Sequence, residues 1–431
     1  WVNGVGAHSI GNFVNSGNIT AIANAVGNGD AVAKGVKAWE MGNFTNSGNI
    51  FVAANATDGN AEAYGVWANA TIGNSIGNFD NSGSILATAT ATGNNTEVDA
   101  AGVRAGSIGS FTNSGSISAS ASATGGDAEV YADGVDVNYI SSFTNNGSIS
   151  ASATGNYVEA SGVNAEDSIG SFTNSGSISA SASGNSTIVD GVYAGFSIGS
   201  FTNSGSISAS ASATGGDAEV YADGVDVNYI SSFTNNGSIS ASATGNYVEA
   251  SGVNAEDSIG SFTNSGSISA SASGNSTIVD GVYAGFSIGS FTNSGSISAS
   301  ASATGGDAEA YGIRAGSIGN ITNNGTIEVY AQSRFNNSTG NFTITSIGVF
   351  VRNSINSFNN EGIIRVNAFA NGTTANLVNI SAFGADLTNL GTFDNKGLIE
   401  VNVKSLYDNS TINAAALSVK NSSNATVTNT G

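Results

Sequence analysis

The stretch that decides the fold is residues 111–121, Phe111-Thr-Asn113-Ser-Gly115-Ser-Ile117-Ser-Ala119-Ser-Ala121. Its first half, the motif Phe-x-Asn-x-Gly-x-Ile, recurs along the whole chain at spacings of 29 to 37 residues. Copies begin at Phe13, Phe44, Phe79, Phe111, Phe143, Phe172, Phe201, Phe233, Phe262, Phe291, Ile321, Phe358 and Phe393, and a truncated copy begins at Val427. A fixed period of this length is typical of solenoid proteins.

Each copy predicts three short strands. The Ser/Ala run after Ile117 alternates with period two, which is the period of a β-strand. Two further segments, of the types Gly134-Val135 and Ile108-Gly-Ser-Phe111, recur before the run and predict the other strands. Asn-Ser-Gly marks the corner before the third strand, because Asn and Gly tolerate left-handed backbone.

Stacked copies place like residues on like. We therefore predict an all-β fold, a single right-handed parallel β-helix (β-solenoid) of about 14 coils with three short strands each. An inward asparagine column would form a ladder of amide hydrogen bonds between coils. The ladder positions in the two identical blocks of the chain are Phe111, Asn113, Gly115 and Ile117, and Phe201, Asn203, Gly205 and Ile207.

The repeats organise the chain as one continuous solenoid over residues 1–431. Residues 1–110 form irregular coils, residues 111–290 form two identical 90-residue blocks of three coils, and residues 291–431 diverge. A duplication of whole coils preserves the stacking, since each repeat contacts only its neighbours. The chain begins and ends within a repeat, so we expect a processed product or a segment of a longer protein.

Composition excludes several function classes. The formal charge is −21 with only ten Lys and Arg, which argues against nucleic acid as a partner. No stretch approaches the ~20 apolar residues of a membrane span. Cysteine is absent, so disulfides and Cys-ligated metals are excluded.

Catalytic residues are not evident, and we expect no enzyme activity and no cofactor. His8 is the only histidine and lies in an irregular coil without a Ser–Asp partner nearby. The carboxylates recur with the repeat, whereas a single active site should interrupt it. Repeated acids do suggest calcium ligands, although solvated acids explain the same pattern; the candidates are Asp127, Glu129, Asp133, Asp190 and Asp223.

Asn-x-Ser/Thr sequons are compatible with a glycoprotein, although a chain this rich in Asn, Ser and Thr contains many by chance. The candidate glycosylation sites are Asn55, Asn69, Asn185, Asn275, Asn337 and Asn341.

The segment from Gly312-Ile-Arg-Ala to Asn323-Asn-Gly325-Thr-Ile327 resembles the repeats of autotransporter passengers and large adhesin β-helices. The resemblance covers the whole chain and implies a secreted β-helix at or beyond a cell surface. We therefore expect an extracellular structural protein that forms a filament or matrix by stacking on itself, end to end or laterally. The alternatives are a cell-surface adhesin stalk, with surface glycans or other cells as partners, and a polysaccharide-active β-helix enzyme.

Overall fold

The computed structural model describes the chain except for residues 69–74, 216–217, 336–339, 373–376, 407–408, 423–424 and 431. It divides into two compact units, Trp1–Ala218 and Glu219–Gly431, called unit 1 and unit 2 and each described by itself. All described elements are β-strands, and all the strand pairs described are parallel. Each unit is thus a parallel β-solenoid, which confirms the predicted fold class. One continuous solenoid over both units stays a prediction.

Unit 1 contains two parallel sheets. The glycine sheet carries the Gly-Val and Phe segments, and the serine sheet carries the strands after Gly-x-Ile. The glycine sheet of unit 1 comprises β1 Val2–Gly6, β2 Ser9–Asn15, β4 Ala31–Ala38, β5 Glu40–Asn46, β7 Ala61–Ala68, β8 Ile76–Asn81, β10 Glu97–Asn113, β12 Glu129–Asn145, β14 Tyr157–Asn174 and β16 Ser186–Asn203. Its serine sheet comprises β3 Asn18–Ala25, β6 Asn49–Thr57, β9 Ser84–Thr92, β11 Ser116–Thr124, β13 Ser148–Thr154, β15 Ser177–Gly184 and β17 Ser206–Ala213.

Unit 2 repeats this arrangement. Its glycine sheet comprises β18 Glu219–Asn235, β20 Tyr247–Asn264, β22 Ser276–Asn293, β24 Ala308–Asn323, β26 Asn341–Asn360, β28 Leu377–Thr388, β29 Leu390–Asn395, β31 Ser410–Lys420 and β32 Thr426–Asn429. Its serine sheet comprises β19 Ser238–Thr244, β21 Ser267–Gly274, β23 Ser296–Ala303, β25 Thr326–Phe335, β27 Ile363–Gly372 and β30 Leu398–Ser405.

The prediction of three strands per coil holds only for coils near the two ends of the chain. From β10 to β26 the Gly-Val and Phe segments form one strand of 16 to 20 residues. The residues between them continue the ladder, as Ser107 pairs with Tyr139 and Ile108 with Ile140. A bulge between Val137 and Tyr139 absorbs the extra residue of the next coil, so the strand need not end there.

The Ser/Ala alternation separates an inner from an outer face of the serine sheet. Ala119 and Ala121 are buried, while the serines between them point outward. Ser118 pairs in register with Ser150, which pairs in turn with Ser179. The register stacks serine on serine outside and alanine on alanine inside, so one period-two pattern forms both the surface and the core.

A ladder of buried asparagine amides lies at the corner between the two sheets. Each Nδ2 donates to the Oδ1 of the asparagine in the next coil at 2.7 to 2.9 Å. Asn113 is fully buried, and its Nδ2 also donates to the backbone oxygen of Gly115. The ladder contains Asn15, Asn46, Asn81, Asn113, Asn145, Asn174 and Asn203 in unit 1, and Asn235, Asn264, Asn293, Asn323, Asn360, Asn395 and Asn429 in unit 2.

Stacked phenylalanines fill the core beside this ladder. From Phe44 to Phe201 the ring centroids of successive coils lie 4.7 to 4.8 Å apart, and the rings are within 6° of parallel. This separation equals the spacing of strands in a sheet. One coil alone leaves both faces of its ring exposed, so each coil needs its neighbours to bury its core.

The glycines of the corners are required by close packing, and the predicted left-handed backbone is wrong for them. Among the described glycines only Gly27 has a positive φ, of 70°. A Cβ on Gly115 would lie 2.1 Å from the backbone oxygen of Gly83, and one on Gly205 would lie 2.0 Å from that of Gly176. The chain of the neighbouring coil therefore leaves no space for a side chain.

Replacing a ladder asparagine should destabilise unit 1. Asn174→Ala removes the amide that accepts from Asn145 and donates to Asn203, so each of these two partners loses a hydrogen bond in the core. Each unsatisfied buried group costs about 1–3 kcal/mol, so we expect a loss of unfolding free energy of about 2–5 kcal/mol in urea titrations. Asn138→Ala, at an exposed position of the same unit, is the control and should change little. Equal effects of the two substitutions would contradict the ladder's role.

Adding one methyl group at a glycine should be similarly disruptive. In Gly134→Ala the new Cβ would lie 2.3 Å from Cγ2 of Ile149 and 2.5 Å from the backbone oxygen of Gly162. Overpacking typically costs about 1–3 kcal/mol, and here the backbone must shift as well, so we expect a clear fall in thermal stability. In Gly126→Ala the nearest atom is 3.5 Å away, and this control should melt like the wild type.

Candidate functional site

The recurring glycine of the Gly-Val segment produces a corner where polar side chains gather. In β4 both Ala33 and Val36 are buried, so the alternation breaks at Gly35 between them. A Cβ on Gly35 would lie 2.5 Å from Cγ2 of Ile50 in the serine sheet, so the chain passes close to the core there. The residue before the glycine and the residue two after it, such as Lys34 and Lys37, flank the bend.

We call these flanking positions the glycine corner of each unit. The register of the glycine sheet places successive members side by side. In unit 1 the members are Lys34 and Lys37, Tyr64 and Trp67, Ala101 and Arg104, Asp133 and Asp136, Ser161 and Asn164, and Asp190 and Tyr193. In unit 2 they are Asp223 and Asp226, Ser251 and Asn254, Asp280 and Tyr283, Tyr311 and Arg314, Ile347 and Phe350, Phe383 and Asp386, and Ala415 and Ser418.

Arg104 is the centre of a polar network in unit 1. Its Nη1 donates to Asp99 and, at 3.0 Å, to the hydroxyl of Tyr64, while its Nε lies 3.1 Å from Oδ2 of Asp136. The Tyr64 hydroxyl donates to Asp99 at 2.6 Å, and the guanidinium lies 5.2 Å from the Tyr64 ring centroid. The small side chain of Ala101 stands beside Tyr64 in the register. The network therefore neutralises this one arginine fully.

The carboxylates beside Arg104 are held away from water. Burial raises the pKa of Asp136 to about 6, although the Arg104 guanidinium opposes this shift. Burial also raises the pKa of Asp133 well above its usual value, and the charge of Asp136 raises it further. A carboxyl group in this corner thus retains its proton at higher pH than one in water.

Unit 2 contains a second pair of acids across Gly224. Burial raises the pKa of Asp223 to about 7, although hydrogen bonds from Ser251 and Asn254 lower it. Asn254 donates from Nδ2 to Oδ2 of Asp223 at 3.3 Å. Burial, followed by the charge of Asp223, raises the pKa of Asp226 to about 8.

Further along the glycine corner of unit 2, an arginine is enclosed by aromatic rings. The Arg314 guanidinium lies 4.6 Å from the ring centroid of Tyr283 and 4.9 Å from that of Tyr311, and it donates to Asp280. Burial raises the pKa of Asp280 to about 7 even though Arg314 lowers it. At the positions before the glycine, Tyr311, Ile347 and Phe383 then form one buried cluster.

The predicted calcium ligands occupy different surroundings. Asp127 and Glu129 are exposed and line an open cleft of about 360 Å³ together with Glu97. Asp133 lies in the glycine corner of unit 1, as does Asp190, which is buried. Asp223 belongs to the glycine corner of unit 2. The acids of one coil are therefore divided between the open cleft and the corner, and calcium binding stays a prediction.

The predicted glycosylation sites differ in exposure. Asn185 and Asn341 are exposed and Asn275 is half-buried. Asn55 is exposed, but its amide donates to Asn24 at 2.8 Å and accepts from Thr90 at 2.6 Å. The other two candidates, Asn69 and Asn337, lie outside the described residues.

Sequence reasoning missed two features of the surface. It did not identify the large apolar side chains Phe196, 71% exposed, and Phe286, 69% exposed. It also did not associate Trp67 with Lys34, whose Nζ lies 4.1 Å from the Trp67 ring centroid. Aligning every coil on its Gly-Val segment would have placed Lys37 beside Trp67 and Lys34 beside Tyr64, and so brought both lysines to this part of the surface.

Comparisons of the chain with protein-family models, with curated proteins and with solved structures find no match. No helix among the described residues could cross a membrane. The side chains above are therefore the basis for a functional proposal.

The buried acids predict greater stability in mild acid. Their pKa in the fold is above the ordinary 3.8, reaching about 8 at Asp226, so the fold prefers the protonated form. The stability that these acids contribute is then fully present below pH ~4 and is lost as pH rises through the raised values, by about 1.4 kcal/mol per pKa unit. We expect the unfolding temperature to be several degrees higher at about pH 5 than at about pH 8.

Variants assign this effect to the corner. Asp226→Asn should flatten the pH dependence, and Asp127→Asn at an exposed site should leave it unchanged. An unfolding temperature that falls from pH ~8 to pH ~5 would contradict the prediction. All of these pH scans contain chelator. In a separate experiment at constant pH, a fall of the unfolding temperature when chelator is added would support the calcium hypothesis, and no shift would contradict it.

Proposed function

We propose that the chain is an extracellular structural protein that builds a filament or matrix by stacking on copies of itself. The observation that supports this proposal is the spine of stacked asparagines within each unit, with a column of phenylalanines beside it that only Ile321 and Val427 interrupt, both in unit 2. In unit 1 the amide chain runs through seven coils without a missing hydrogen bond, from Asn15 to Asn203.

Such a spine favours self-association for a geometric reason. Nearly every coil presents the same Asn, Phe and Ile to the coil above and to the coil below. One face of a coil is thus complementary to the opposite face of any other coil, whichever chain supplies it. A contact of this kind does not close on itself, and it generates fibres when repeated.

Lateral contacts are a second route to a matrix. The outer face of the serine sheet is regular, with Ser120, Ser152 and Ser181 in register. A regular array of small hydroxyl side chains can approach another such array without steric clash. Extracellular location, glycosylation and calcium binding are further parts of the proposal.

A cell-surface adhesin stalk is the second candidate. It is favoured by Phe196 and Phe286, because a large exposed apolar side chain loses unfavourable contact with water when a partner covers it. A polysaccharide-active enzyme is the third, since raised carboxylate pKa values suit acid–base catalysis. Turnover of acidic polysaccharides would favour this third function.

Negative-stain microscopy over a range of protein concentrations separates the first two candidates. We expect fibres many times longer than one chain, because end-to-end stacking continues the ladder. Single particles at every concentration would overturn the filament and favour the stalk. Phe196→Ser with Phe286→Ser is the matched control: fibres should persist if the spine drives assembly, and their loss would assign assembly to the exposed rings.

A further inference from the structure

Tryptophans and lysines gather at one end of the glycine corner of unit 1. The chain has three tryptophans, and two of them, Trp39 and Trp67, meet edge to face with ring centroids 5.9 Å apart. The ammonium groups of Lys34 and Lys37 lie 4.1 and 5.3 Å from the Trp67 ring centroid. The ring of His8, the only histidine, is 6.4 Å from that of Trp39.

The two lysines differ from the arginines of the corner in lacking an ion pair. Arg104 is bound by Asp99 and Asp136, and Arg314 by Asp280. Among the described residues, no carboxylate lies within 4.0 Å of Nζ of Lys34 or Lys37.

Both lysines are also partly withdrawn from water. Lys34 and Lys37 are half-buried between the first coil and Trp67. Burial lowers the pKa of Lys34, and the charge of Lys37 lowers it further, although Glu62 opposes this. The two positive charges repel each other, and an anion bound to both would relieve the repulsion.

Trp39 adds a surface of different chemistry. It is 44% exposed, its ring meets that of Trp67, on which both lysines lie, and its backbone N–H donates to the backbone oxygen of His8 at 2.9 Å. The face of an indole ring is electron-rich and apolar. The C–H face of a pyranose ring carries small positive partial charges, so the two surfaces are complementary.

We propose that Lys34, Lys37 and Trp39 form a binding site for a short acidic saccharide. The sugar ring packs on Trp39, and its carboxylate or sulfate accepts hydrogen bonds from the two ammonium groups. Trp67 holds the ammonium groups by cation–π contact and does not itself need to be exposed.

Charge limits the length of the ligand. In the glycine corner, Arg104 follows the Trp67 coil, and Asp133 and Asp136 follow Arg104. These acids are two coils, or about 10 Å, beyond Trp67. A long polyanion along the corner would meet them, whereas a unit of one to three sugars would not. This inference goes beyond the structural role and does not depend on whether the chain forms fibres.

Tryptophan fluorescence of the full chain tests the site. The probes are trigalacturonate for the carboxylate, a sulfated chondroitin disaccharide for the sulfate, and maltotriose as the neutral reference. We expect a saturable change with at least one acidic probe, none with maltotriose, and weaker binding at higher salt. No saturable change with either acidic probe, or equal binding of maltotriose, would overturn the proposal.

Variants assign the binding to the named side chains. Lys37→Gln should weaken it about tenfold or more, because one charge-assisted hydrogen bond is lost. Trp39→Ala should abolish it when measured by calorimetry, with circular dichroism as the check on folding. Lys404→Gln, at an exposed lysine of unit 2, is the matched control and should bind like the wild type. Wild-type affinity in Lys37→Gln would place any binding elsewhere and refute the assignment.

Discussion

The structure depends on one constraint, that each residue in the interior meets its counterpart in the next coil at the spacing of a β-sheet. Phenylalanine rings tolerate this because parallel rings at 4.7 to 4.8 Å are in contact without overlap. Asparagine tolerates it because a primary amide has both a donor and an acceptor, so identical side chains can bond to each other indefinitely. Glycine is the residue at the tightest corners, where a Cβ would overlap the backbone of the coil below.

The same constraint is unfavourable for charged side chains, because it places like charges side by side. The exposed edge of the glycine sheet and the half-buried glycine corner accommodate the charges differently. At the exposed edge of unit 1, Glu97 and Glu129 are directly paired, and water screens them. In the half-buried corner such a pair would cost more. There Ser161 separates Asp133 from Asp190 in unit 1, and Ser251 separates Asp223 from Asp280 in unit 2. Within each unit these acids therefore lie on alternate coils.

Much of the fold could be read from the repeat, because a fixed period specifies which residues become neighbours. The pairing of Phe111 with Phe143 and of Asn113 with Asn145 follows from counting. The merging of two strands into β10 does not, since it depends on whether the residues after Ala105 find partners in the next coil. The sequence also could not show why glycine occupies the corners. A left-handed turn and a closely packed neighbouring chain both select glycine, so the residue alone does not distinguish them.

The sequence by itself determined the solenoid class, the coil length and the inner and outer faces, since period and alternation are local properties of the chain. Only the tertiary structure decided the character of the glycine corner. The bend at Gly35 brings Lys34 and Lys37 onto Trp67, and bends like it withdraw the corner acids from water. These effects arise between residues about 30 positions apart, so neither the charge nor the exposure of a single coil reveals them.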